Sequence, residues 1–367
     1  MRESMRVAIF HDYFDKIGGG EKAMLTLAKA LDADLFTTNL RPDVLTRLGD
    51  QRVRIHDLGP LVLTAPLKQI HASGRFRRAR ISGFDAFVFS GNWAHHAGER
   101  HRPGVLYCYT PVRAFYDRRR ALLSSLPPPQ RPFYRAWTRV HASLDRASVN
   151  GVDRIVAISK NVRRRIRTYY DREAPVVYPP VATSQFRFRE LGDFWLSVNR
   201  LYPEKRVDLQ FEVFRHLPEE RLVVVGGWTP GDHSARYAAA LDPPSNVTLR
   251  GEVTEEELVD LYARCRGVLA TAVDEDFGLT PVEAMASGKA VLATNEGGYL
   301  ESVRHGATGW LLPPEPEAFV QKIRGLDDST LLDLRRVAET HAERFGEEPF
   351  VTAMKGILEA AARGASF

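Results

Sequence analysis

The chain has 367 residues, enough for two domains, and its 44% hydrophobic and 26% charged residues exclude a disordered chain. Its two cysteines, Cys108 and Cys265, exclude a disulfide framework and a thiolate zinc site and fit a reducing cytoplasm. The formal net charge of +5 divides unevenly: up to Pro180 there are 31 Lys+Arg against 16 Asp+Glu, a net of +15, and beyond it 20 against 30, a net of −10.

Short β-branched and aromatic runs alternate with helical patterns, which predicts parallel sheets built from βα units. The first run, 6–10, leads into a glycine triplet before a helix. Gly18 to Gly20 either let the backbone approach a phosphate or sugar closely or form a plain loop; the triplet is neither a dinucleotide fingerprint nor a P-loop. Strand 34–38 follows. Segment 61–80 then sets Leu61, Leu63, Leu67, Ile70 and Phe76 beside Arg75, Arg77, Arg78 and Arg80, the composition of a surface resting on a membrane. The longest apolar stretch, 58–67, is about half a bilayer span and is cut by Pro60 and Pro66, so no crossing is expected.

Strands are predicted at 86–90, 105–109 and 154–159. His95, His96 and His101 follow the first of these, as surface loop histidines or as catalytic ones. Further basic clusters at Arg118 to Arg120, at Arg131, Arg135 and Arg139, and at Arg163 to Arg165 with Arg167 suit anionic lipid or phosphorylated acceptors; no nucleic-acid motif accompanies them. A proline-rich linker, 176–193, precedes a second set of strands at 194–199, 222–226, 247–249, 268–271, 290–294 and 310–312. The expected domains are 1–180 and 181–346, with a helical tail at 347–367 free to pack on either.

Ligands of open parallel sheets bind outside the carboxyl ends of the strands, which directs attention to the residues after each run. After strand 268–271, Glu275 sits in a loop and Glu283 eight residues later in a helix start, so that both carboxylates can face one crevice. Phe277, Gly278 and Leu279 offer backbone N–H groups at that helix N-terminus. Thr280-Pro281-Val282-Glu283 also spells a capping box, which would use Glu283 structurally. Asp274-Glu275-Asp276 contains a DxD pattern, a weaker metal-binding reading. Arg200 and Lys205, after strand 194–199, are two cations suited to a leaving diphosphate. Gly226 and Gly227 mark either a close approach of ligand or a tight turn.

With these residues in place, the sequence resembles the retaining glycosyltransferases of family 4. Glu275 and Glu283 match the E-x7-E motif, Arg200 and Lys205 the R-x4-K pair, and the opening VAIFHDYFDKIGGGEKAM is similar to mannosyltransferases of O-antigen and related polysaccharides. The resemblance implies an α/β GT-B fold, two Rossmann-like doubly wound domains facing each other across a cleft, the first binding acceptor and the second a nucleotide-sugar. It implies that Arg200 and Lys205 hold the donor diphosphate, that Glu283 holds the ribose and that Glu275 contacts the transferred sugar. Gly278, Leu279 and Thr280 would give backbone N–H groups to sugar and phosphate, Arg250 to Val253 would flank the base, and Gly19 and Gly20 would lie near the diphosphate and acceptor.

The resemblance implies no metal and no cofactor beyond the donor, best guessed as GDP-mannose. It also implies a lipid-linked or polysaccharide acceptor and a peripheral place on the cytoplasmic face of an anionic membrane. One departure stands out: relatives carry a histidine in a YCHTP-like context where this chain has Tyr109. Either Tyr109 keeps the orienting role, a neighbour such as His95 or His96 substitutes, or transfer is impaired. The alternatives are a catalytically weak partner subunit of a glycan-assembly complex and a GT-B nucleotide-sugar epimerase.

Overall fold

The computed structural model describes residues 5–14, 17–41, 53–61, 67–228 and 234–364. The chain forms two compact units, Met1–Pro180 with Glu348–Phe367, and Val181–Glu347.

The first unit is built on six parallel strands in the order β3-β2-β1-β4-β5-β6: β1 Val7–Tyr13, β2 Asp34–Thr38, β3 Arg54–Asp57, β4 Ala86–Ser90, β5 Gly104–Cys108 and β6 Arg154–Ala157. Strands β4 and β5 are buried throughout, as expected of sheet strands covered on both faces, and this is why their sequences read as unbroken apolar runs. Strand β3 was not anticipated. It is a largely exposed edge strand, RIHD, held by Arg54 bonding Asp32 and Asp34 rather than by an apolar run.

Phe10 lies at the centre of this core, with the rings of Phe36, Phe76, Phe87, Phe89 and His101 within 6.4 Å of its own. Two of the residues expected on a membrane-facing surface are therefore interior: Phe76 is 0% exposed and Leu61 6%. Helix Leu67–Arg78 turns Ala72 and Phe76, four residues apart, into the core, while Leu67 and Ile70 stay exposed. Leu63 lies outside the described residues.

The loop histidines are also not surface groups, since His95 and His101 are buried. His101 Nδ1 bonds Ala97 O at 2.8 Å and its Nε2 accepts from Ile81 N at 3.1 Å, a fully used neutral ring. Helix Glu347–Ala362 buries Phe350, Met354 and Leu358, spaced by four, and Phe350 packs 5.5 Å from the ring of Tyr107.

The second unit repeats the topology, in the order β12-β11-β10-β7-β8-β9. The strands are β7 Phe194–Val198, β8 Arg221–Val225, β9 Val247–Gly251, β10 Gly267–Ala270, β11 Val291–Thr294 and β12 Gly309–Leu312. Trp195, Phe211, Phe214 and Phe319 fill its core, and Trp195 keeps its indole N–H satisfied on Glu220 Oε2 at 2.9 Å.

Candidate active site

In each sheet the strand order reverses beside the first strand, between β1 and β4 and between β7 and β10. Such switch points are where parallel sheets open a crevice at the strands' carboxyl ends.

In the second unit the chain leaves β7 through Asn199 and Arg200, pressed against the end of β8. Gly226 makes this possible: it has φ +127, and a Cβ there would lie 1.9 Å from Asn199 O. Backbone packing by itself requires glycine at this position. The turn Pro203–Lys205 is then bonded to the end of β10, because Thr271 Oγ1 donates to Lys205 O at 2.8 Å and Val273 N donates to Glu204 O at 2.8 Å. These bonds bring Lys205 Nζ to 2.6 Å from Glu275 Oε2, with both side chains mostly buried. Beside them Arg206 pairs with Glu296 at 2.9 Å. Gly297 and Gly298 run under the loop so closely that a Cβ on either would fall within 2.5 Å of the Glu275 or Phe277 backbone. Gly298 N also donates to Glu275 O at 2.7 Å. The Glu275 loop is therefore fixed from below by backbone and from the side by charge.

Helix Leu279–Ala286 starts two residues before the anticipated Pro281, and its N-cap is Gly278 at φ +88, where a Cβ would sit 2.5 Å from the Tyr299 ring. The capping box is consequently not formed. Glu283, in the second turn, instead accepts from Tyr262 OH at 2.7 Å, and Thr280 Oγ1 faces Val198 O at 3.4 Å. Burial, and then the charge of Glu283, push the Tyr262 phenol well up, so it stays a donor.

Arg200, Lys205, Glu275, Glu283 and the Gly278-Leu279-Thr280 turn are thus gathered at the β7/β10 switch. Arg250 lies in β9, two strands from β7, with its guanidinium 2.6 Å from Glu257, and Val253 follows in the loop before helix Glu255–Arg264. Among the described residues no group of three or more His, Cys, Asp or Glu is disposed to hold a metal ion.

At the switch of the first unit, helix Gly19–Leu31 begins within the glycine triplet, and Glu21 Oε2 accepts from Gly18 N at 2.7 Å. The Tyr109 hydroxyl donates to Gly20 O at 2.8 Å, and its ring would lie 3.2 Å from a Cβ on Gly20. Gly20 is thereby explained by the packing of Tyr109. His95 does not reach Tyr109; it faces Asp145 Oδ1 at 3.1 Å, and Asp145 also accepts from Tyr116 and Tyr170. His96 stacks on His95. The imidazole that does stand at this switch is His11, which sequence reasoning passed over: its Nδ1 is 3.2 Å from Ser90 Oγ and its Nε2 3.2 Å from Glu21 Oε1. The available signal was a histidine at a strand end with a glutamate just past the glycines. Arg206, Tyr262 and Glu296 were missed as well, because their roles depend on partners far along the chain.

Residues 183–344 match the family described as Glycosyl transferases group 1. Among curated proteins, a D-inositol 3-phosphate glycosyltransferase of Streptomyces bingchenggensis is 29% identical over 248 residues, 59% of this chain and 54% of the relative. The mouse alpha-1,3/1,6-mannosyltransferase ALG2 is 27% identical over 256 residues, 60% of this chain and 58% of the relative. The chain spans about half the length of the curated relatives it matches. Among solved structures, Anabaena HepE in complex with UDP and glucose superposes with a TM-score of 0.75 at 18% identity, covering 96% of this chain and 99% of that one. Sucrose-phosphate synthase from Thermosynechococcus elongatus gives 0.78 at 16% identity, covering 98% and 100%. The chain therefore has the GT-B fold of two Rossmann-like domains, and its residues 183–344 are similar to the family of glycosyl transferases group 1.

Proposed function

We propose that the chain is a retaining glycosyltransferase that moves a hexose, mannose from GDP-mannose, onto a lipid-linked or saccharide acceptor of a surface polysaccharide. The observation that carries this reading is the meeting of Lys205 and Glu275 at 2.6 Å where β7 and β10 end. A cation for a diphosphate and a carboxylate for sugar hydroxyls stand side by side, with the N-terminus of helix Leu279–Ala286 next to them. Breaking the sugar–phosphate bond builds negative charge on the diphosphate, and Arg200, Lys205 and the backbone N–H groups of Gly278 to Thr280 stabilise that charge in place of a metal. Glu283, oriented by Tyr262, takes the ribose hydroxyls, and Arg250 and Val253 flank the base. A donor phosphate oxygen accepts the acceptor's proton on the same face, so no separate base is needed. The mouse relative's description as a mannosyltransferase supports mannose, and HepE's complex with UDP and glucose supports a nucleotide-sugar.

The first unit is assigned the acceptor and the membrane. Helix Arg131–Asn150 leaves Phe133, Val140 and Leu144 exposed along one line and Arg135, Arg139 and Arg146 exposed along another, at the opposite edge of its outward surface, an amphipathic arrangement suited to anionic headgroups on the cytoplasmic side. No helix among the described residues is long and apolar enough to cross a membrane.

The test is a thermal-shift screen of GDP-, UDP- and ADP-sugars with and without a chelator, followed by release of nucleoside diphosphate in the presence of acceptor. GDP-mannose is expected to give the largest shift, unchanged by chelation; a larger shift with UDP-glucose would reassign the donor. Donor binding without transfer would favour a catalytically weak partner subunit, the reading motivated by Tyr109. Sedimentation with phosphatidylglycerol vesicles but not with phosphatidylcholine vesicles checks the membrane face.

A further inference from the structure

His11 is 3% exposed, near the end of β1, and both of its ring nitrogens are engaged. Nδ1 meets Ser90 Oγ on the adjacent strand β4; Ser90 Oγ lies 3.0 Å from Tyr109 OH, and Tyr109 OH lies 2.8 Å from Gly20 O. Four residues from three strand ends and a helix start thus form one hydrogen-bonded chain.

The direction of that chain follows from its ends. Burial works against the charge of Glu21, but the hydrogen bond and charge of His11, with Gly18 N–H, outweigh it and hold the carboxyl below its usual range. A carboxylate has no proton to give, so Nε2 is the donor toward Glu21. Gly20 O accepts only, so the Tyr109 hydrogen lies on Gly20. The one free choice is the Ser90 hydroxyl. If Nδ1 carries no proton, Ser90 donates to it and the Tyr109 oxygen is left able to accept; if Nδ1 is protonated, Ser90 donates to Tyr109 instead. The other groups against His11 do not change this choice: the Asp12 carboxylate is held by the N–H groups of Asn92, Trp93 and Ala94, and the Phe14 ring is apolar. Of its three side chains, those of His11 and Ser90 are buried and that of Tyr109 is partly exposed.

We propose that His11, anchored by Glu21, is a positioning residue for sugar transfer: through Ser90 it sets whether the Tyr109 oxygen is free to accept a hydrogen bond from a hydroxyl group of the saccharide acceptor. This rests on the transfer reading above. It gives the acceptor side an imidazole two hydrogen bonds behind the phenol, in a chain that lacks the family's histidine at position 109.

The test uses the full chain with Ser90→Ala, Tyr109→Phe, the double variant, His11→Asn and His11→Gln. Asparagine places its amide near the Nδ1 position and glutamine near Nε2, so His11→Asn is expected to keep more turnover than His11→Gln. Ser90→Ala is expected to lower kcat by about three- to tenfold, the weight of one ordinary hydrogen bond, at unchanged donor KM, and to have no further effect on Tyr109→Phe. Independent multiplication of the two losses would overturn the proposal. A second measurement needs no activity: in 15N spectra of the histidine rings at fixed pH, Tyr109→Phe should move the His11 Nδ1 resonance and leave Nε2 in place. An unmoved Nδ1 would remove the relay even if sugar transfer is found. An absence of transfer in the unaltered chain with a moved Nδ1 would remove the transfer reading and its acceptor role, leaving the hydrogen-bonded chain.

Discussion

Lys205 Nζ and Glu275 Oε2 are 2.6 Å apart, joined across seventy positions by two loops that the sheet brings together. In the proposed reaction each is offered to a different part of the donor, so donor binding exchanges an internal ion pair for contacts to diphosphate and sugar. Glu275→Gln is then expected to lower kcat by about a hundredfold, the scale of one lost transition-state contact, while leaving donor KM within a fewfold. Lys205→Ala is expected to lower kcat and weaken donor binding together, since it removes the diphosphate contact and takes the ammonium group away from a mostly buried carboxylate. Steady-state kinetics with varied donor separate the two patterns; equal effects in both variants would contradict the roles.

Tyr262 connects the Glu283 carboxylate to the core of the second unit. Tyr262→Phe keeps the ring and removes the donor, so it is expected to cost about 2 kcal/mol of stability, the weight of a hydrogen bond to a charged group, and to weaken donor binding through a loosened Glu283. Denaturant unfolding and donor KM check the two parts. Unchanged binding would separate Glu283 from the donor.

Two glycines with positive φ make a controlled pair. Gly226→Ala sets a Cβ against Asn199 O, whereas Gly251→Ala, at φ +74, meets nothing within 4 Å. The second substitution is expected to cost about 1 kcal/mol of backbone strain, and the first clearly more, with a loss of donor affinity because the Arg200 loop must shift. Thermal unfolding of the two variants gives the comparison.

His96 provides a pH signature in the first unit. Burial, and then the nearby charge of His95, pull its pKa down to about 3 from 6.5. Between those values the unfolded chain binds the proton that the folded chain excludes, so stability is expected to fall as the pH is lowered through that window. Melting temperatures from pH 7 to pH 4 should decline less steeply in His96→Asn than in the unaltered chain.

Much of the fold was legible because parallel strands buried on both faces must be apolar along their whole length; β4, β5, β8 and β10 stand out for that reason. Strand β3 was not, since an exposed edge held by Arg54 and two aspartates has no such pattern. Phe76 misled in the opposite direction: four arginines around it made an inward-facing helix residue look like part of a membrane surface. Residue types and local spacing singled out Arg200, Lys205, Glu275 and Glu283 as candidates, which the fold sets at neighbouring strand and loop ends, but Thr280 to Glu283 suggested a cap that an earlier helix start abolishes.

The sequence by itself determined the alternation of strands and helices, the uneven charge of its two halves and the short motifs that carry cations and carboxylates, because each of these depends on neighbours a few residues away. Only the tertiary structure decided that Lys205 faces Glu275, that Tyr262 holds Glu283 and that His11 stands behind Tyr109. Those contacts join residues up to about eighty positions apart, and only the crossover order of the sheets, which sets strand ends side by side, brings them within hydrogen-bond reach.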